Sequence, residues 1–365
     1  MSNTPSKPPK KKIINLPLKI LSLLIIIVSG IYAFDIDTAV SDALSDNISE
    51  ITSEIENSDG SFNQIKKQTN NESNRDTTDK TNSSNSSVSS NADSELSAQI
   101  ERVLPQKGKL SVIALDVGQA DSIFIKSPSG KTMLVDAGDI DSYEAIDVYL
   151  TQAGIKKIDV LVATHPHSDH IGSMKRVIEN YEIGSIYMPK AEHTTKTYSN
   201  LLLAIKDKGL KINTAKGGAT KTIPFDNDIV VSIFSPMAEK YDNLNNYSIV
   251  LKITYGKNSI LLTGDIEREI EKDILKKIPN DLLKSDVLKV AHHGSTTSST
   301  PDFLKAVAPT YAFISLGTDN SYGHPHDKIV KRLNDLDIKF YQTNLNGYLA
   351  FFSDSEKYNI VTSKK

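Results

Sequence analysis

The chain has 365 residues, a formal net charge of −3 and no cysteine. The lack of cysteine excludes disulfides, thiolate metal ligands and cysteine nucleophiles. The near-neutral charge does not indicate the basic face of a nonspecific nucleic-acid binder, although it leaves open a local patch at Lys206, Lys208, Lys211 and Lys216.

The N-terminal residues predict where the protein works. Residues 1–12 form a basic tail, and residues 13–34 are mostly apolar. Counted from Ile13, this segment has the ~20 residues needed to cross a bilayer, whereas the uncharged run from Ile20 to Phe34 has the length of a signal-peptide core. We favour an uncleaved single-pass anchor with the basic end inside and the remainder outside the cell membrane. The alternative is a cleaved signal and a secreted protein.

Residues 35–96 are predicted to form a disordered spacer. Between Asn71 and Glu95 the only apolar residues are Val88 and Ala92. Such a segment cannot bury enough surface to offset the loss of chain entropy. The remaining residues, 97–365, are enough for one globular domain with a substantial core.

Short strands and helices alternate along this domain. Apolar or alternating runs predict strands at 110–116, 122–127, 132–136, 158–164, 184–188, 229–234, 247–254, 258–264, 286–292, 310–316, 338–342 and 347–353. Helices are predicted at 142–153, 171–181, 197–208, 266–277, 301–307 and 327–335.

Histidines gather where predicted strands end. Seven of the eight lie in three clusters, 165/167/170, 292/293 and 324/326, and His193 is predicted to be a surface residue. Within the first cluster, two histidines two positions apart can point to the same side of an extended segment. An aspartate and a third histidine follow where the chain turns into the next helix. Because neutral imidazole and carboxylate are the usual ligands of zinc and related ions, this pattern predicts a metal site rather than a polar loop of unrelated histidines.

Two further apolar strands end in an aspartate beside glycine, at Asp136 and Asp265. One such aspartate alone is more often a turn residue or a helix cap. Together with the histidine clusters, the pair is predicted to belong to the site.

The order of these motifs resembles the metallo-β-lactamase fold of hydrolases. Within that superfamily the chain is most similar to the metallo-β-lactamase-like domain of bacterial competence (DNA-uptake) proteins of the ComEC type. The residues that carry the likeness lie at 115–122, 245–251, 262–265, 292–295 and 322–325, within a region from about Lys109 to about Phe352. The resemblance implies an α/β (α+β) fold, a four-layer αββα sandwich.

The resemblance also implies two divalent metal ions, Zn²⁺ or Mn²⁺. His165 and His167 would hold one ion, Asp169, His170 and His293 the other, and Asp265 would bridge them. Ions about 3.5–4 Å apart lower the pKa of bound water towards about 7, so a metal-bound hydroxide is the expected nucleophile.

Other residues are expected around the ions. Asp136 or Asp116 would orient the ligands from outside, and Asp169, Asp265 and His324 are the expected catalytic residues. Ser295 and His326 are candidates for substrate contacts. The competing interpretation of the polar run after Ser295 is a flexible loop that caps the helix at Pro301.

One motif of the superfamily is incomplete in this chain, and in a second motif the choice of ligand is ambiguous. The third-motif histidine is missing, and its region holds Asn245, Asn246 and Ser248. Asn246 is a candidate replacement, and His324 or His326 could also fill the gap. If residues 290–293 are extended, His292 and His293 face opposite ways; His293 is then the expected ligand, and His292 lies outside the ligand set or is buried.

The function implied by the resemblance is that of an extracytoplasmic, metal-dependent phosphodiesterase, and specifically of a nuclease that acts on DNA. A single apolar segment cannot form a pore, so a separate membrane channel would be a partner; the oligomeric state is open. One alternative is an esterase of cell-wall or choline phosphodiesters, although a chain without tryptophan lacks aromatic choline-binding repeats. Hydrolysis of a thioester or lactone ranks lower. A non-enzymatic alternative is a DNA- or wall-binding module with a degenerate metal site.

Overall fold

The computed structural model of the protein describes residues 94–318 and 320–364. The predicted basic tail, the membrane segment and spacer residues 35–93 lie outside these residues. Residues 94–101 are helical, so the last three residues assigned to the spacer belong to a helix. Within the described ranges, no helix combines the length and apolar character that crossing a bilayer requires.

Two β-sheets contain the strands of the described residues. In chain order these strands are β1 (Leu110–Ala114), β2 (Ile123–Lys126), β3 (Thr132–Val135), β4 (Lys157–Val162), β5 (Glu182–Met188), β6 (Ile212–Thr214), β7 (Thr222–Ile223), β8 (Ile229–Ser235), β9 (Val250–Tyr255), β10 (Asn258–Leu262), β11 (Val287–Lys289), β12 (Tyr311–Ile314), β13 (Lys339–Gln342), β14 (Leu349–Ser353) and β15 (Tyr358–Thr362). The first sheet has the order β15-β14-β1-β2-β3-β4-β5-β6, and the second has the order β13-β12-β11-β10-β9-β8-β7.

Helices connect many of these strands. They are α1 (Tyr143–Gln152), α2 (Ser168–Ile171), α3 (Met174–Asn180), α4 (Lys196–Asp207), α5 (Arg268–Lys277), α6 (Asn280–Leu283), α7 (Pro301–Val307), α8 (Asp327–Asp335) and α9 (Thr343–Asn346), with 3₁₀ turns at Leu244–Tyr247 and Ala291–Gly294. Their apolar residues recur every four positions, as in the buried pairs Ile270 and Ile274 of α5 and Ile329 and Leu333 of α8. This spacing places one stripe of each helix against a sheet.

The side chains of β1 explain the layering. Because strand side chains alternate, Val112 faces the apolar cluster shared by both sheets while Ile113 faces the cluster between the first sheet and its helices. A third cluster lies between the second sheet and the helices that follow it, and it includes Leu288 of β11 and Ile274 of α5. The expected two-sheet α/β sandwich is confirmed, and its three apolar clusters separate four layers in the order helix, sheet, sheet, helix.

The strands that precede the predicted site residues end at the same edge of their sheets. Strands β3 and β4 are parallel in the first sheet, and β10, β11 and β12 are parallel in the second. The direction of β1 also matches that of β3, because β2 lies antiparallel to both. Polar residues that are far apart in the chain therefore meet in the loops at one end of the sandwich.

All twelve predicted strands are present, but β6, β7 and β15 were not predicted. Two of these have only two or three residues, which is too short for a period-2 pattern to be recognised. The predicted helix at 171–181 is divided into α2 and α3. The predicted strand at 286–292 ends at Lys289, and a turn follows it.

Candidate metal centre

Asp136 holds His170 at the end of β3. Its backbone lies in the left-handed region, with φ of 60°, which turns the side chain into the space beyond β4. There the carboxylate accepts hydrogen bonds from Thr164 N (2.8 Å), Thr164 Oγ1 (2.7 Å) and His170 Nδ1 (2.7 Å). Since Nδ1 donates to Asp136, the Nε2 atom of His170 is left to face the interior of the site.

The charges around His170 are unusually concentrated. Burial alone would lower its pKa, but the carboxylates of Asp265, Asp136 and Asp169 outweigh burial and hold the pKa of His170 well above its usual range. Burial raises the pKa of Asp136, and the neighbouring His170 only partly offsets this. An imidazole surrounded by three carboxylates marks this position as one that favours positive charge.

His165 and His167 lie on the same side of the segment after β4, as their spacing predicts. His165 Nε2 is 3.0 Å from His167 Nδ1, and the two rings are nearly perpendicular. On its other edge, His165 Nδ1 lies 3.3 Å from Ser248 Oγ. Burial and the positive charge of His170 hold the pKa of His165 well below its usual range, so this imidazole is neutral at pH 7.

Asp265 lies at the centre of the histidine clusters. Its Oδ2 is 3.3 Å from His170 Nε2, 3.7 Å from His293 Nε2 and 3.8 Å from His292 Nε2. Asp169 lies beside it, with Oδ2 3.3 Å from His293 Nε2. Although burial opposes ionisation, the positive charges of His170 and His293 hold the pKa of Asp265 well below its usual range.

Candidate metal-ligand atoms face one another in this cluster. His293 Nδ1 donates to Ser315 O (2.8 Å), so its Nε2, like that of His170, is turned towards carboxylate oxygens. Among the described residues, the buried atoms His170 Nε2, His293 Nε2 and Asp265 Oδ1 have no hydrogen-bond partner of acceptable geometry. Ligand atoms of Asp121, His170, Asp265 and His293 all lie within 4.8 Å of one another. Buried imidazole nitrogens and carboxylate oxygens without partners are the donor set of a divalent metal, so these residues fit one.

The structure changes the geometry expected for the double histidine. Residues 290–293 are not extended: His292 and His293 have φ of 51° and 52°, within the 3₁₀ turn that ends at Gly294. Both side chains therefore reach the same cleft rather than facing opposite ways. They differ in burial, since the side chain of His292 is 25% exposed and its Nδ1 lies 3.1 Å from Thr297 Oγ1, whereas His293 is buried.

The polar residues in the region that lacks the third-motif histidine have different contacts. Both polar ends of Asn246 are used by the start of α5, because its Oδ1 accepts from Glu267 N (3.1 Å) and its Nδ2 donates to Glu269 (2.9 Å). Asn245, by contrast, lines the cleft, and Ser248 Oγ accepts from Asp265 N (3.0 Å). The residues that face the candidate ligands are thus Asn245 and Ser248, not Asn246.

A cleft of about 300 Å³ opens onto the cluster. Its lining residues are Gln119, His167, Ser168, Asp169, Asn245, Asp265, His292, His293, Tyr322 and His324. Burial and the neighbouring His293 and His292 lower the pKa of His324 to about 4, so its ring is neutral at pH 7. The predicted catalytic residues Asp169, Asp265 and His324 therefore share one cavity.

The predicted residues Ser295, His326 and Asp116 have their contacts outside that lining. His326 Nδ1 accepts from Thr296 N (3.0 Å), and Ser295 Oγ accepts from Thr297 N (3.3 Å), so both side chains hold the loop after the double histidine. Asp116 forms an ion pair with Lys364 (3.1 Å). The contacts of His326 and Ser295 hold the loop before α7, which is closer to the alternative of a helix-capping loop than to a role in substrate binding.

Sequence reasoning missed several residues of the site. Asp121 lies in the motif after β1 that carried the family resemblance, yet only its buried position shows that it reaches the cluster. Thr164 and Ser248 act through side-chain oxygens that have no pattern of their own. His193, predicted to be a surface residue, is half-buried, with its ring centroid 6.0 Å from that of His167.

Comparison with known proteins agrees with this architecture. The profile of the Metallo-beta-lactamase superfamily matches residues 115–318. The chain is similar to ComE operon protein 3 of Bacillus subtilis (strain 168), with 32% identity over 265 residues, which are 68% of this chain and 33% of that protein. It is also similar to Competence protein ComA of Neisseria gonorrhoeae (30% over 248 residues, 67% of this chain and 32% of that protein). Recombination protein 2 of Haemophilus influenzae is 29% identical over 253 residues, which are 67% of this chain and 29% of that protein. The chain thus spans about a third of the length of these curated relatives.

Proposed function

The chain belongs to the metallo-β-lactamase superfamily of metal-dependent hydrolases, and we propose that it cleaves phosphodiester bonds in DNA outside the cytoplasm. The observation that carries the proposal is the buried His/Asp cluster at the base of an open, polar cleft. A divalent ion held there would polarise a phosphoryl oxygen and activate water at neutral pH.

We propose that the chain's own residues hold two such ions, zinc or manganese, in the roles expected from the sequence. His165 and His167 would hold one ion, Asp169, His170 and His293 would hold the other, and Asp265 would contribute to both. Asp136 and the carbonyl of Ser315 keep the protons of His170 and His293 on Nδ1, which leaves each Nε2 free as a ligand.

The first of the two sites has fewer protein ligands than the second. Asn245 supplies an amide where the superfamily has its third-motif histidine, and its buried Oδ1 has no hydrogen-bond partner among the described residues. Asn245 therefore takes the place that the sequence assigned to Asn246. The neutral ring of His324 lines the same cleft, where we propose that it donates a hydrogen bond to the substrate.

DNA is the preferred substrate for two reasons. The relatives are named as competence and recombination proteins, which connects this domain with DNA. In addition, a second cleft of about 180 Å³ contains Lys190, Lys216 and Lys221. Tyr247 lines this cleft and Asn245 lines the metal cleft, so residues of one 3₁₀ turn line both clefts. We propose that a polynucleotide contacts both clefts, whereas a single choline phosphodiester needs only the metal cleft.

Location and partners follow from residues outside the described part of the chain. We propose that residues 13–34 anchor the protein in the membrane, with the hydrolase domain outside. A membrane channel that conducts DNA is the proposed partner of this domain.

The experiment uses the full-length chain in detergent with Mn²⁺, Zn²⁺ or EDTA. Its substrates are linear double- and single-stranded DNA, bis(p-nitrophenyl) phosphate and p-nitrophenylphosphorylcholine. His167→Ala removes a proposed ligand, and His193→Ala is the matched control, since His193 lies beside His167 but its Nδ1 contacts Pro166 O (3.2 Å).

We expect metal-dependent cleavage of DNA that is lost in His167→Ala and kept in His193→Ala. Hydrolysis of the choline ester alone would replace the proposal with the phosphodiesterase alternative. DNA that is bound but never cleaved under any metal would instead identify a binding module.

A further inference from the structure

A buried ion pair joins the two sheets directly beside the candidate metal ligands. Lys289, the last residue of β11, extends its ammonium group to Asp121 in the loop after β1, with Nζ 2.9 Å from Oδ2. The two side chains are 1% and 3% exposed. Nζ also donates to Val290 O at 3.0 Å. Both charges are therefore removed from water, and the proposed metal ligands do not include either residue.

Only one oxygen of Asp121 is used by the lysine. Among the described residues, Asp121 Oδ1 has no hydrogen-bond partner although it is buried. Asp121 belongs to the group of candidate metal ligands that also contains His170, Asp265 and His293. One donor atom from each of these residues lies within 4.8 Å of the others. Its backbone is held in place from both sides, since Asp121 N donates to Asp169 O (3.1 Å) and Asp121 O accepts from Gly138 N (2.8 Å).

A purely structural role does not account for this arrangement. A buried ion pair contributes little net stability, because removing two charges from water costs about as much as their attraction returns. A pair of well-packed apolar residues would connect the sheets as effectively. A buried carboxylate that keeps one oxygen without a hydrogen bond and lies within ligand distance of His170, Asp265 and His293 is instead what a bound cation requires.

We propose that Asp121 contributes a carboxylate to the metal centre and that Lys289 is its counter-ion in the metal-free protein. The lysine pairs with the buried carboxylate of Asp121, near Asp265, before a cation is bound. The inference concerns the metal centre on which the proposed function rests, and its test measures metal binding, so it can fail or succeed independently of the substrate.

The test compares Asp121→Asn, Lys289→Met and the double variant in the full-length chain. Zn²⁺ affinity is measured by competition with a chromophoric chelator, Co²⁺ binding by its visible absorption, and thermal unfolding with and without metal. Asp121→Asn should weaken metal binding about 10–100-fold, because an ammonium group is left unpaired beside the cation site and a ligand-facing carboxylate is lost. Lys289→Met should bind metal at least as tightly as the wild type, with a larger rise in unfolding temperature on metal addition.

The double variant keeps the test decisive if either single variant fails to fold, because it leaves no unpaired buried charge. Its metal-free stability should approach that of the wild type, while its metal affinity stays as low as that of Asp121→Asn. Lys131→Met is the control, since it breaks the exposed ion pair with Asp159 (3.2 Å) near the opposite end of β4. Wild-type metal affinity in Asp121→Asn or in the double variant would overturn the proposal, as would equal weakening by Asp121→Asn and Lys289→Met.

Discussion

Replacing Asp136 with asparagine tests whether the carboxylate sets the orientation and proton position of His170. In the native protein, Oδ2 accepts from both Thr164 Oγ1 and His170 Nδ1, while Oδ1 accepts from Thr164 N. An asparagine oxygen can keep the bond to Thr164 N. Its amide group would then face the Nδ1–H of His170, so that two donors meet. His170 must either lose this bond or move its proton to Nε2, which removes the lone pair directed at the metal.

The expected losses of folding stability and of metal affinity follow from these contacts. Loss of one hydrogen bond to a charged group costs about 1.5–3 kcal/mol of folding stability in the metal-free protein. Loss of an outer partner of a metal-binding histidine typically weakens metal binding about 10–100-fold, which is roughly 1.4–2.8 kcal/mol. Both effects should appear in Asp136→Asn, because Oδ2 of Asp136 both holds Thr164 in the fold and orients the proposed metal ligand His170.

Asp159 provides a matched control near the other end of the same strand pair. Its Oδ2 accepts from Thr132 N (3.0 Å) and Thr132 Oγ1 (3.3 Å), and its Oδ1 pairs with Lys131, so its contacts closely resemble those of Asp136. Asp159→Asn should lose stability in guanidinium unfolding with EDTA but keep the Zn²⁺ affinity measured by chelator competition. Equal Zn²⁺ affinities for Asp136→Asn and Asp159→Asn would refute the assignment of Asp136 as the partner of a metal ligand.

Three further predictions address the ligands, the substrate and the metal. His293→Ala should reduce DNA cleavage by more than the roughly 100-fold limit of an outer partner, whereas replacement of the partly exposed His292 by alanine should stay within about tenfold; equal losses would contradict the assignment. Neutralising Lys190, Lys216 and Lys221 with glutamine should lower the salt dependence of DNA affinity by about 2–3 units of slope without changing hydrolysis of bis(p-nitrophenyl) phosphate. An unchanged slope would exclude the lysine cleft from the DNA path. Removal of metal by EDTA should lower the unfolding temperature by roughly 5–10 °C if the ion was present at about 100 times its Kd, and scanning calorimetry measures this directly.

The strands and the first histidine cluster could be predicted because their signals are local. The run before Thr164 is apolar for a full strand, and the two histidines after it are separated by one residue, so the polypeptide itself directs both to one side. The aspartate beside Gly138 at the end of β3 is likewise a local pattern. The contact of Asp136 with His170 requires only that two neighbouring strands be parallel.

The double histidine shows where local reasoning fails. An apolar run before His292 favours a continued strand, and nothing in the adjacent residues announces two consecutive left-handed residues. The turn is stabilised from elsewhere: His292 N donates to Gly264 O (3.1 Å), and His293 Nδ1 donates to Ser315 O. The close approach of Pro325 also leaves room only for glycine at Gly294, where an added Cβ would lie 2.7 Å from the proline.

The sequence by itself determined the two-sheet class, the site's position at the strand ends and the chemistry of its histidines and aspartates, because each depends on residues within one turn or strand. Only the tertiary structure decided which side chains complete the site. Asn245 rather than Asn246 lines the cleft, because the side chain of Asn246 is used by the start of α5. Asp121 lies beside His170, Asp265 and His293 and is paired with Lys289, because β11 of one sheet meets the loop after β1 of the other. Contacts between residues 168 positions apart leave no trace in local periodicity, since packing of the whole sandwich brings them together.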